Sequence, residues 1–291
     1  SELNDKKKTW KTVLHQERSK RHKPRLDDKV LTSWNALMIK GYIDAYRVFD
    51  NPRFLDAAVK NATFILDQQL KDDGGLFHNF KDGKSTINGY LEDYATLIDA
   101  FISLHEVTLD EKWIHLSKKL TDYTYENFYN QENSMFYFTS KKDEKLVARS
   151  FEYRDNVIAA SNSIMAKNLF ILSHHLDNEK YLNTSSKMLH NVHPEIETYP
   201  SGYSNWLDLT ENYKNKYYEI VVVGKDANSK IKELNTSYLP NALVAGSSKE
   251  STNPLLKYRY IDDETLIYVC VNNSCKLPVS EASEALKLLN N

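Results

Sequence analysis

The chain has 291 residues, a mass of 33.8 kDa and a formal net charge of −2, enough for one large domain or two modest ones but without the basic field that draws polyphosphates or anionic membranes. Only 8 Gly and 7 Pro occur, and 41% hydrophobic against 27% charged residues exclude turn-rich low complexity and wholesale disorder. No apolar run approaches the ~18–20 residues of a spanning helix, and the first residues lack the apolar stretch of a signal peptide, so a soluble, cytoplasmic chain without nucleic-acid or membrane partners is expected.

In chain order, residues 1–26 read as a basic helical lead-in, since the lysines at 6–8 and the RSKRHKPR stretch at 18–25 suit a solvated helix end. From 27 to 215 the pattern predicts three α-hairpins. No Gly falls between Gly89 and Gly202 and no Pro between Pro52 and Pro194, which leaves room for long helices. DNPRF (50–54), LDEKW (109–113) and DNEKY (177–181) repeat, each placing Asn51, Asp110 or Asn178 where a helix N-cap is wanted. Ahead of each lies a first helix, 34–49, 93–107 and 161–176, apolar nearly all round. The second helices keep a narrower stripe, as in Ala58, Ala62 and Ile65, so inner and outer layers are implied. Ser33 and Ser161 read as ordinary caps. Connectors at 76–78 and 135–137, with Gly202 and Tyr203, look β-like. A period near 60 residues exceeds the ~34 of common helical pairs and fits a ring segment. From 216 to 291 short apolar runs such as YEIVVVG and LIYVCVN predict a small β-α-β-β-α module.

In such an array the first helices start at one end. That end collects Asp27, Asp28, Trp34 and Asn35, then Glu92 and Asp93, then Asp155 and Asn162, with His78 and Tyr137 from connectors. Facing carboxylates can divide acid and base roles in glycosyl chemistry, and aromatic rings can stack on sugars. The plainer reading is that acids near helix N-termini are stabilised by the dipole. His105, His174 and His175 fall at the opposite end and read as structural or exposed. His115, His190 and His193 lack metal-ligand spacing, so no metal and no cofactor are expected. Cys270 and Cys275 are spaced C-x4-C, neither a redox pair nor half a zinc site, which favours structural thiols while allowing a local bridge.

The string RLDDKVLTSWNALMIKGYIDAY (25–46) resembles the spermatogenesis-associated, thioredoxin-domain-containing family, whose bacterial members are YyaL-like. GYLEDYATLIDAF (89–101), the 155–163 stretch, YEIVVVG and YVCVNNSCKLPVSEASEAL extend that resemblance over nearly the whole chain. It implies an N-terminal thioredoxin-like domain followed by an α/α toroid similar to N-acylglucosamine 2-epimerases and six-hairpin glycosidases, and carries the same mouth positions, from Asp27 to Asn162. This sequence holds no CxxC, and reads AASNS (159–163) where relatives resemble PSGNS, so redox activity is not carried over. Three hairpins where a closed toroid has six imply the C-terminal part of a longer protein.

The expected fold is mainly α, a partial α/α toroid of three hairpins with a small C-terminal α/β module. The expected function is carbohydrate processing or binding, glycosidase- or epimerase-like. Asp28 and Asp93 are the acid/base candidates, with Asp155 as a second carboxylate or substrate-positioning group. Asp27, Trp34, Asn35, His78, Glu92, Tyr137 and Asn162 are expected to bind substrate. Only His78 stands at the mouth, so carboxylate chemistry is favoured over epimerisation. The alternative is a non-catalytic scaffold for a partner protein or a thioredoxin-like domain, and a third reading gives Cys270 and Cys275 a redox accessory role.

Overall fold

The computed structural model describes residues 1–144 and 147–289. Helix α1 (Glu2–Ser19) comes first and buries none of its residues, leaving Leu3, Trp10, Val13 and Leu14 exposed along one stripe. A short strand β1 (Val30–Leu31) leads into α2 (Thr32–Phe49) and α3 (Pro52–Gln68). The hairpin β2 (Phe77–Lys81) and β3 (Lys84–Asn88) joins β1 in a three-stranded sheet, order β1-β2-β3. Then follow α4 (Leu91–Thr108), α5 (Lys112–Asn127), α6 (Ser161–Leu176), α7 (Glu179–Thr198), a 3-10 turn at Pro200–Gly202 and α8 (Ser204–Lys214).

The inner helices lie side by side in the order α2, α4, α6, α8, and α3, α5 and α7 each pack on the inner helix before them. Helix α4 buries residues all round, from Leu91 to Val107, whereas α3 buries only Ala58, Ala62 and Ile65. That is the contrast between a helix covered on every side and one with a single apolar stripe. Helix α2 departs from the all-round expectation: it buries Ala36, Ile39 and Ile43 but exposes Trp34 and Met38, because no inner helix among the described residues covers its far side. Helix α8 was not expected as a fourth inner helix, having only eleven residues.

The inner-to-outer turns share one device. Helices α2, α4 and α6 each end on a left-handed residue, Asp50, Leu109 or Asp177, and Asn51 and Asn178 then cap α3 and α7 by accepting from Arg53 N and Tyr181 N. Asp tolerates that backbone region; Leu does not, at about 1–2 kcal/mol. Leu109 offsets the strain by packing into the core of the C-terminal module. The middle outer helix starts one residue later than expected, with Glu111 at its N-cap and Asp110 accepting from Lys112 N.

That module comprises β4 (Tyr218–Val223), α9 (Ala227–Leu234), β5 (Ala242–Ser247), β6 (Leu266–Val271), β7 (Ser274–Cys275) and α10 (Ala282–Leu288), with sheet order β5-β4-β6-β7. Only the β4–β5 pairing is parallel. Every residue of β4 is buried: Val221 and Val223 face the helical array, while Ile220 and Val222 face α9 and α10, as a period of two requires. The expectation of two thiols is overturned here. Cys270 and Cys275 are cross-strand partners joined in a disulfide. Asn272 and Asn273, both at positive φ, make the two-residue turn between them, a conformation that Asn accepts readily. The Arg259 guanidinium lies 3.0 Å from the Cys275 sulfur.

A buried polar seam joins array and module. His174 Nδ1 is 2.7 Å from Glu219 Oε1, and Asn273 N donates to Glu219 Oε2 at 3.2 Å. Beside it the His105 and His175 rings, both fully buried, stand 5.4 Å apart. These histidines are structural and lie at the C-terminal ends of α4 and α6, away from the acids.

Candidate functional site

The starts of α2, α4 and α6 lack caps from their own N-cap side chains: Leu31 and Ala160 cannot supply one. Ser33 and Ser161, expected as caps, sit inside the first turns. Acids outside the N-cap positions, Asp93 from within α4 and Asp155 and Glu152 from the connector ahead of α6, meet the free N–H groups that every helix start leaves. Asp93, fully buried, accepts from Ser33 N through Oδ1 and from Tyr90 N through Oδ2, both at 2.9 Å. Asp155 accepts from Ala160 N at 2.9 Å, from the Ser163 hydroxyl at 2.6 Å and from Asn205 N at 2.8 Å, tying α6 to α8. Glu152 Oε2 accepts from Ser161 N at 3.1 Å.

Asp93 also meets a connector. His78, on β2, places Nδ1 2.9 Å from Asp93 Oδ2, and its ring packs edge-on against Tyr90, which stacks on Phe138. The hydrogen bond to Asp93 holds the imidazole above its ordinary range, against the pull of burial. Burial pushes the Asp93 carboxyl up, opposed by His78 and the two N–H donors. Gly89 lets this connector close on α4: a Cβ there would lie 2.9 Å from the Leu76 carbonyl oxygen.

Between the helix starts lies a cavity of about 240 Å³. Glu92 and Glu152 line it with Ser33, and Trp34, Val157 and Ile158 form an apolar rim. The Glu92 carboxylate accepts no hydrogen bond from the described residues. Burial, then the neighbouring Asp93 and Glu152 charges, push it up to about 6, with His78 pulling the other way. The Ser33 hydroxyl is buried and unpartnered. This is an acid held partly protonated near neutral pH, beside a second carboxylate and an exposed indole, a set that can donate and accept protons.

The other expected residues are distributed differently. Asp28 is about half exposed and ion-paired with Lys81, which holds its carboxyl below the usual range. Asp27 pairs with Lys29 at 3.2 Å. Both lie outside the cavity lining. Asn35 donates to the Leu31 carbonyl and receives Asn61 on its own, fastening α2 to α3. Asn162, fully buried, donates to the carbonyls of Phe136 and Glu152 and accepts from Phe136 N. Tyr137 accepts from the Asn130 amide, stacks on Phe151 and carries Arg149 over its face. The structure thus brings Trp34, His78, Glu92 and Asp93 together. It adds Glu152, which sequence reasoning missed although it stands three residues ahead of Asp155; its approach to Glu92 is long-range in sequence.

His78, Glu92 and Asp93 each offer an atom within 4.8 Å of the others, close enough to surround a metal ion. Both Asp93 oxygens, however, are already engaged by N–H groups, so the geometry suits an imidazole fixed by a carboxylate better than an open ligand set. A larger hollow of about 910 Å³ lies at the opposite ends of α2 and α4, where Arg47 pairs with Glu106 and Lys232 with Asp50.

No family model matches the chain. Spermatogenesis-associated protein 20 of Homo sapiens is 25% identical over 300 residues, covering 95% of this chain and 38% of its own length. An uncharacterized protein of Caenorhabditis elegans is 25% identical over 296 residues, covering 96% of this chain and 40% of its own. The chain therefore spans about two fifths of the length of these curated relatives, and the resemblance read from its motifs holds. Among solved structures, a GH76 alpha-mannanase of Bacteroides thetaiotaomicron superposes with a TM-score of 0.53 at 15% identity, over 80% of this chain and 67% of its own. A cellobiose 2-epimerase of Bacillus thermoamylovorans gives 0.48 at 14% identity, over 57% and 45%. The fold is the expected one: mainly α, α/α-toroid-like, with small sheets.

Proposed function

We propose that this homologue of spermatogenesis-associated protein 20 binds and processes a carbohydrate in the cavity between the starts of α2, α4 and α6. The observation that carries the reading is Glu92: a carboxyl without a hydrogen bond among the described residues, pushed up to about 6, lining a cavity with Glu152 and Trp34. In its protonated form Glu92 donates to a leaving oxygen, while Glu152 serves as base or nucleophile on the sugar. Asp93 is a positioning residue, since it fixes His78 and two helix starts. Asp28 and Asp155, whose oxygens are engaged elsewhere, hold the mouth together. The superposition on an alpha-mannanase supports this at the level of fold.

The test is turnover of aryl glycosides by the chain and by Glu92→Gln. Expected is a loss of about 10²–10⁴-fold in the variant, with thermal unfolding at or above the parent's because the strained charge is gone, and a basic limb near pH 6 in the parent profile from Glu92. Equal turnover in both proteins would refute the assignment.

A second reading, a non-catalytic scaffold for a protein partner, is favoured by the uncovered stripe Leu3, Trp10, Val13 and Leu14 on α1. Failure of every tested sugar to bind would favour it.

A further inference from the structure

Resting on the carbohydrate reading, we infer that the ligand of this cavity carries a protonated nitrogen, as a free amino sugar does. Its fixed charges are of one sign. Glu92 and Glu152 line the cavity and Asp93 stands directly behind Glu92, while no described lining residue is Lys or Arg. The nearby lysines are committed elsewhere, Lys29 to Asp27 and Lys81 to Asp28. His78, whose charge opposes the raising of Glu92, is itself bound to Asp93.

Two further features point to a ligand cation. Ser33 lines the cavity with a buried hydroxyl that has no partner, and a buried unpaired oxygen costs about 1–3 kcal/mol until a donor reaches it. An ammonium has three N–H bonds to give, enough for a carboxylate and that hydroxyl together. Trp34, 61% exposed at the rim, offers a face that attracts cations, while its area and that of Ile158 suit the apolar face of a sugar ring. An anionic sugar would instead meet two carboxylates at close range.

Binding such a cation favours ionised Glu92, the opposite protonation state from the one that donates in turnover, so proton release accompanies binding when the site starts protonated. Affinity for the amine therefore rises as pH increases through the Glu92 transition, until the amine itself deprotonates. Affinity for a neutral sugar carries no such linkage of this sign.

The experiment is isothermal titration of the chain with glucosamine, glucose and glucuronate at about pH 5 and about pH 7, spanning the ordinary and raised carboxyl ranges. At the higher pH glucosamine is expected to bind about tenfold or more tightly than glucose, the gain of a charge-assisted hydrogen bond, with glucuronate weakest. The preference should shrink at the lower pH. Glu92→Gln and, independently, Glu152→Gln should lower glucosamine affinity more than glucose affinity, their folding checked by thermal unfolding. Glucose binding as tightly as glucosamine, or glucuronate binding best, overturns the amine inference and leaves the carbohydrate reading standing. If none of the three hexoses binds, the carbohydrate reading falls and the amino-sugar proposal with it.

Discussion

Asp93 and Glu92 are chain neighbours with opposite environments. Asp93 is saturated with donors, whereas Glu92 faces a cavity with none. Replacing Asp93 by Ala strands Ser33 N, Tyr90 N and His78 together, and should destabilise the fold by about 2–4 kcal/mol in chemical denaturation. Asp93→Asn keeps an acceptor but removes the charge, so His78 should titrate lower than in the parent, read by NMR of its ring protons. Because the parent His78 is raised, its stabilising contribution is full below the unfolded imidazole value of 6.5 and fades as pH rises through the folded value. Glu92 has the opposite sign. A carboxyl raised to about 6 from 4.5 costs stability progressively as pH climbs through that range. The acids at helix starts were legible from sequence, but their division of labour was not. Which carboxylates would be consumed by N–H groups depends on Ser33 and Asn205, which reach Asp93 and Asp155 only through tertiary packing.

Among elements, the C-terminal ends of α4 and α6 carry the clearest pH signature. Burial lowers His105 to about 4 and pushes His175 well down, each aggravated by neighbouring histidines. Both are neutral in the fold but protonate in the unfolded chain below 6.5, so their contribution is present above that value and is lost as pH falls towards about 4. For His105 alone this amounts to about 3 kcal/mol. Neither ring nitrogen of His175 has a partner, so His175→Leu should hold or raise stability at neutral pH and flatten the acid limb of a pH–stability curve. An acid limb as steep as the parent's would contradict this. Helix boundaries in this layer were readable because periodicity and the Asn51 and Asn178 caps are local. The connector between α5 and α6 was not, since its order comes from Arg149, Asn162 and stacked rings brought from distant positions.

Across the whole molecule, array and module share buried surface. Val221, Val223, Leu243 and Ala245 of the sheet belong to the same apolar cluster as the inner helices. The β4–β6 core should therefore survive reduction of the Cys270–Cys275 bridge, which closes a short loop worth about 2 kcal/mol by chain entropy. A thermal melt with and without a dithiol reductant is expected to show a modest, single-transition shift. Separate early melting of the module would show instead that the bridge holds it on the helices. The C-x4-C spacing concealed this bond because it brings the sulfurs together only when Asn272 and Asn273 both turn left-handed. The hairpin repeat, by contrast, follows from a sequence period and was legible at full scale.

The hydrogen bond from Ser33 N to Asp93 makes the mouth measurable in time. That amide belongs to a first helical turn, which leaves its N–H groups without intrahelical acceptors, and its acceptor comes from 60 residues along the chain. Its deuterium exchange is therefore governed by how often α2 and α4 part at their starts, separately from fraying elsewhere. A ligand seated against the Ser33 hydroxyl would lengthen that exchange lifetime, giving a one-residue clock for occupancy of the cavity even where no product can be detected.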